Sequence, residues 1–131
     1  MILGFGLLWN LLTGVVSKYK IGYYYERKTV ERLKKDGWDA WRTPASKSPI
    51  DVVAIKPDKT TGKVLIKLIQ VKSTSKDSFS FSNLSKEERS GLLDLALRYK
   101  DYDNVSVELW IYYKKQRRKS VINVKNYCSG K

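Results

Sequence analysis

Four side chains stand out by type and spacing: Glu26, Asp51, Gln70 and Lys72. The last three belong to the stretch Ile50 to Lys72, IDVVAIKPDKTTGKVLIKLIQVK, in which two apolar arms flank a turn of Lys, Thr, Pro and Gly. Val, Ile and Leu dominate both arms, which predicts a β-hairpin. With the turn centred near Thr60 and Thr61, antiparallel pairing sets Asp51 opposite Gln70 to within one residue. Strand alternation then points Gln70 and Lys72 to the same face. An acid, an amide and an ammonium therefore converge on one edge of an otherwise apolar sheet. Such a set suits a hard cation. Mg²⁺ takes oxygen ligands and retains waters, so one or two carboxylates, carbonyl oxygens and a phosphate oxygen suffice. The bound cation acidifies a water and stabilises charge on a phosphate in flight, and a neighbouring Lys can orient or deprotonate that water.

The elements that must position these groups can be read on either side of the hairpin. Lys18 to Asp36 predicts a helix, closed by Gly37. Gly22, Glu26, Val30 and Leu33 share one face of it, so Glu26 lies with the apolar stripe while Lys28, Glu31, Arg32 and Lys35 face out. An inward carboxylate must meet a cation, a metal or hydrogen-bond donors; an ordinary ion pair with Lys or Arg serves equally well. Tyr23, Tyr24 and Tyr25 would anchor the helix. Trp38 to Thr43 predicts a short strand, followed by the loop PASKSP, which leads into Asp51. Arg42, Ser46 and Lys47 around this loop fit phosphate contacts, although polar loop residues are also the default. Beyond the hairpin, STSKDSFSFSN reads as a loop or brief strand. Ser85 to Glu88 forms a capping box for a helix running to about Lys100, with Leu92, Leu93, Ala96, Leu97 and Tyr99 as its apolar face. Val105 to Tyr113 is strongly β-prone, and Ser120 to Val124 returns as a last strand. Between them the turn KKQRRK carries Lys114, Lys115, Arg117, Arg118 and Lys119. This basic tip suits phosphate contact, and cationic tips also guard edge strands. The order helix, strand, hairpin, helix, two strands predicts an α/β (α+β) domain with a central mixed β-sheet flanked by helices.

The totals narrow the chemistry. A chain of 131 residues is expected to form one domain. Lys and Arg number 26 against 13 Asp and Glu, a formal net charge of +13, which predicts a polyanionic partner: nucleic acid first, an anionic membrane surface second. With no histidine, imidazole acid–base chemistry, serine-type triads and His-ligated metals are excluded. One cysteine, Cys128, rules out an internal disulfide and a Cys-rich zinc site. Nothing points to an oxidising compartment, and a cytoplasmic location is expected. Residues 1–17 carry no charged side chain, are broken by Gly4, Gly6, Asn10 and Gly14, and fall short of the about 20 residues of a membrane span. They read as a separate apolar segment before a domain of residues 18–131. A helix docking on that domain or on a second subunit is expected, with an interfacial membrane anchor or an upstream extension as lesser alternatives.

The run Gly22-Tyr-Tyr-Tyr-Glu26-Arg27, then Gly37-Trp38, Arg42, Ser46, Pro49-Ile50-Asp51-Val-Val-Ala54 and Gln70-Val71-Lys72-Ser73, resembles the archaeal Holliday junction resolvases. These enzymes, with counterparts in archaeal viruses, belong to the PD-(D/E)XK nuclease superfamily. The resemblance covers roughly Lys18 to Val124. It implies a restriction-endonuclease-like fold and a homodimer that cuts four-way DNA junctions with Mg²⁺ or Mn²⁺. On this resemblance Glu26 matches the helix acid, Asp51 the principal metal ligand and Lys72 the catalytic lysine, with Gln70 at the remaining ligand position. Arg27, Arg42 and Ser46 match positions at the site and its DNA-contacting loop. Gln70 departs from the family, which usually has Glu there; an amide oxygen still coordinates a cation but brings no charge. Two other readings keep the fold: a restriction-like or repair nuclease on other DNA, and a DNA-binding protein without activity.

Overall fold

In a computed structural model of the chain, residues 14–44 and 48–128 are described. They form helix α1 (Gly14–Lys35), strands β1 (Asp39–Arg42), β2 (Val52–Asp58) and β3 (Lys63–Thr74), helix α2 (Lys86–Arg98), and strands β4 (Val105–Tyr113) and β5 (Arg118–Asn123). Short 3-10 turns occupy Phe81–Asn83 and Val124–Tyr127. The five strands lie in the order β1-β2-β3-β4-β5. Pairing is antiparallel except between β3 and β4, which run parallel. A parallel neighbour requires a crossover, and α2 provides it. The result is the mixed sheet with flanking helices that the order of elements predicts.

α1 begins at Gly14, four residues before the expected Lys18, so the helix takes in the end of the apolar segment. The rest of that segment, residues 1–13, lies outside the described residues. α1 closes as expected. Gly37 adopts φ 93°, Gly37 N–H donates to Lys34 O at 3.0 Å, and Trp38 N–H donates to Leu33 O at 2.9 Å. This paired capping pattern depends on a residue that tolerates the left-handed conformation. β5 starts at Arg118 rather than Ser120, which places Arg118 and Lys119 in the strand opposite Tyr113 and Tyr112.

Two apolar layers cover the sheet. On one face, Ile50, Val107, Leu109 and Ile111 pack with Leu92 and Ala96 of α2 and with Phe81, Leu84 and Val124. On the other, Val52, Ala54, Ile69, Val71, Trp110 and Tyr112 pack under Leu33, with Tyr25 and Val30 of α1 beside them. β4 is buried on both faces, which explains its nearly unbroken apolar sequence. Thr29 is fully buried in α1; its hydroxyl meets the Tyr112 hydroxyl at 2.8 Å and donates to Tyr25 O at 2.8 Å. The inward stripe of α1 therefore includes a satisfied threonine. Among the described residues no helix is long and apolar enough to cross a membrane.

Candidate active site

β2 and β3 pair from Asp58 against Lys63 to Val52 against Ile69, so the turn is centred between Thr60 and Thr61 and the register carries Asp51 to Gln70. β3 continues to Thr74 while β2 begins only at Val52. The site occupies this fork. Asp51 N–H donates to Ile69 O at 2.8 Å, and Asp51 Oδ2 accepts from Val71 N–H at 2.9 Å. The Asp51 carboxylate thus satisfies a β3 amide just past the start of β2. Pro49 leads into this turn and rests on Gly91 of α2. A Cβ at position 91 would come within 3.1 Å of Pro49 Cγ, so the bare glycine lets the loop approach the helix closely.

Glu26, Asp51, Gln70 and Lys72 all line one cleft of ≈ 410 Å³, together with Glu88. They arrive from α1, the residue before β2, β3 and α2. Glu26 comes from α1 and accepts from Arg42 Nε at 2.9 Å, while the Arg42 guanidinium lies 4.3 Å from the centre of the Tyr23 ring. Gln70 is 5% exposed; its Nε2 donates to Glu88 Oε2 at 3.2 Å, and its Oε1 has no hydrogen-bond partner. Lys72 Nζ is ion-paired with Glu88 Oε2.

The electrostatics follow from this crowding. Burial pushes the Asp51 carboxyl up to about 6; the charges of Glu26 and Glu88 add to the rise, while the Val71 amide and Lys72 oppose it. Burial also works against charge on Glu88, but the Lys72 ammonium and the Ser85 amide outweigh it and hold that carboxyl below its usual range. Among the described residues no three His, Cys, Asp or Glu side chains are grouped as a metal-holding cluster, in keeping with an amide at position 70. The donor set still fits a hard cation, because a buried carbonyl oxygen without a donor stands in the same cleft as carboxylates.

The other expected site residues divide. Arg42 reaches the cleft through Glu26. Arg27 points away, pairing with Glu31 at 3.4 Å and lying 5.7 Å from the Tyr23 ring centre. Ser46 and Lys47 lie outside the described residues. Lys114, Lys115, Arg117, Arg118 and Lys119 are exposed around the β4–β5 turn, outside the Asp51 cleft. With the exception of Lys115 they line a second cleft, of ≈ 600 Å³, whose other walls are Tyr24, Tyr25, Lys28, Tyr112 and Tyr113. Arg118 is partly engaged: it stacks on Tyr113 with 3.9 Å to the ring centre and donates to Asp77 O at 3.0 Å. The residue the sequence reading missed in this role is Glu88. Its place in the capping box is legible, because Ser85 Oγ accepts from Glu88 N–H and Glu88 Oε1 accepts from Ser85 N–H, both at 3.1 Å. That its second oxygen turns to β3 depends on how α2 docks, which no local pattern carries.

Comparison with known proteins places the chain by fold and family. No curated protein matches the chain. Among solved structures, that of a Holliday junction resolvase from the archaeal hyperthermophile Archaeoglobus fulgidus superposes with a TM-score of 0.59 at 20% identity, covering 79% of this chain and 73% of that one. At that identity the likeness is one of fold. The family model of the archaeal Holliday junction resolvases matches residues 17–127, a span that runs from α1 to the last 3-10 turn. The chain belongs to the archaeal Holliday junction resolvases, nucleases that resolve four-way DNA junctions.

Proposed function

We propose that the cleft at the β2–β3 fork is the catalytic site and that it hydrolyses junction phosphodiesters with a divalent cation, Mg²⁺ or Mn²⁺. One observation carries this reading: Glu26, Asp51, Gln70 and Lys72 line a single cleft in which the Gln70 carbonyl oxygen has no partner. Asp51 and Gln70 Oε1 would hold the cation, with Glu26 beside them. When bound, a divalent cation acidifies a water and offsets charge on the phosphate. The rest falls to the chain itself. The Val71 amide fixes Asp51, and Arg42 fixes Glu26. Lys72 carries the positive charge that would meet a phosphate oxygen as negative charge develops there.

Junction resolution takes cuts in two strands, and a chain with one such cleft supplies two only as a pair of copies, which favours a homodimer. The exposed cations Lys114, Lys115 and Arg117 would contact phosphates of the arms, as would Arg27, Ser46 and Lys47, while Arg118 and Lys119 brace the turn against Tyr113 and Trp110. Residues 18–131 would act as one nuclease domain in the cytoplasm. The test is cleavage of a synthetic four-way junction by purified protein, with Mg²⁺ and with EDTA. Paired nicks that appear only with Mg²⁺ are expected. Equal cutting of linear duplex would replace the junction reading with that of a general nuclease, and cutting in EDTA would remove the metal.

A further inference from the structure

We propose that Glu88 of α2 supplies, from beside the metal site, the negative charge that β3 lacks at position 70. It would also set the Gln70 amide so that its oxygen serves as a neutral ligand. The proposal rests on the metal-dependent reading above.

Three features of the geometry carry it. First, the orientation of the Gln70 amide is determined by Glu88. An ionised carboxylate only accepts, so it takes the NH₂ end and leaves Oε1 as the atom without a partner. That oxygen is buried and unpartnered, a situation that is costly unless something electropositive meets it. Secondly, Glu88 is held from both ends. Its Oε1 is fixed by the Ser85 amide at the helix cap, which leaves Oε2 to serve Gln70 and Lys72. The cap alone would need neither. Thirdly, Glu88 stands one turn before Gly91, where Pro49 touches the helix, so the contact that docks the Asp51 loop also brings Glu88 to it. Among the described residues four carboxylates line the cleft, Glu26, Asp51, Glu87 and Glu88; of these Glu26 is paired with Arg42, and Glu88 is the one held against Gln70 and Lys72. A strand glutamate would have supplied ligand oxygen and charge together; here the amide gives the oxygen and the helix gives the charge.

The experiment is Mn²⁺ binding to the full-length protein without DNA, followed by the electron paramagnetic resonance signal of free Mn²⁺. Glu88→Gln keeps the oxygen that caps α2 and removes the charge. It is expected to weaken Mn²⁺ binding by about tenfold or more. Adding Gln70→Glu to that variant moves the acid back to the strand and should restore affinity to within about threefold of the starting protein. Gln70→Met, which removes the amide oxygen without touching the helix cap, should also weaken binding by about tenfold, and it decides the matter if Glu88→Gln does not fold. Glu88→Gln or Gln70→Met binding Mn²⁺ as the unaltered protein does, or a double variant that regains nothing, would overturn the assignment. Asp51→Asn separates the two levels. If it loses Mn²⁺ while Glu88→Gln does not, only the role of Glu88 fails. If the unaltered protein and Asp51→Asn bind alike, the metal reading itself falls.

Discussion

β3 carries two lysine–glutamate pairs, five residues apart in sequence and on opposite faces of the sheet. Lys67 meets Glu108, and Lys72 meets Glu88. The first pair is closed. Glu108 Oε1 accepts from Trp110 Nε1 at 2.9 Å, its Oε2 accepts from Lys67 and from Ser106 Oγ at 2.8 Å, and the Lys67 ammonium lies 5.0 Å from the Trp38 ring centre. The second pair is open. Beside it stand the unpartnered Gln70 Oε1 and the Asp51 carboxyl, pushed up to about 6. Residue types do not separate the pairs. What separates them is whether each buried polar atom has its partner. A closed network stabilises the fold, whereas an open one keeps unsatisfied groups for a ligand to meet.

The largest expected contrast is in catalysis. Asp51→Asn keeps an oxygen for the Val71 amide but loses the charge, and single-turnover junction cleavage should fall by about a thousandfold or more, equivalent to about 4 kcal/mol of barrier. Glu108→Gln should cleave within about twofold of the unaltered protein at a temperature where both are folded. A comparable loss in both variants would dissolve the distinction.

Stability should show the reverse order. Glu108→Ala strands the Lys67 ammonium and the Trp110 N–H in a buried setting and should cost about 3 kcal/mol in urea unfolding. Replacing both members, Lys67→Met with Glu108→Leu, should recover most of that loss. Glu88→Ala, at the partly exposed rim of the cleft, should cost about 1 kcal/mol. Equal costs for the two alanine variants would mean that the second pair is structural as well.

Much of this was legible in the residues. The hairpin register follows from alternation and turn position, and it brings Asp51 to Gln70. The Ser85 capping box and the Gly37 helix end are local patterns and were readable as such. Other features were hidden because they depend on docking between elements distant in sequence. Glu26 meets Arg42, sixteen positions away, only because β1 folds back beside α1. Glu88 reads as a cap until the docking of α2 on the sheet brings it to Gln70 and Lys72. The basic run from Lys114 to Lys119 reads as one patch, yet two of its members turn back onto Tyr113 and Trp110.

The smallest effect discriminates most sharply, because its sign is unusual for a site mutation. The Asp51 carboxyl is raised to about 6 in the folded protein, against about 3.9 unfolded. Between these values the folded chain binds the proton more tightly than the unfolded chain does, so stability falls as pH rises from about 4 to about 6 and stays lowered above that. An amide at this position has no charge to desolvate. In EDTA, Asp51→Asn should therefore be more stable than the unaltered protein at pH 7.5, by about 1 kcal/mol after allowance for solvent and the retained Val71 bond, and equal to it near pH 4. Melting temperatures at the two pH values measure this. Saturating Mg²⁺ should then stabilise the unaltered protein alone, erasing or inverting the advantage, because only that protein binds the ligand in its folded state. Glu108→Gln offers no such gain at either pH, since its partners would lose the charge they surround. A variant at position 51 less stable than its parent at pH 7.5 would place Asp51 with the closed pair, as part of the framework and not of the site.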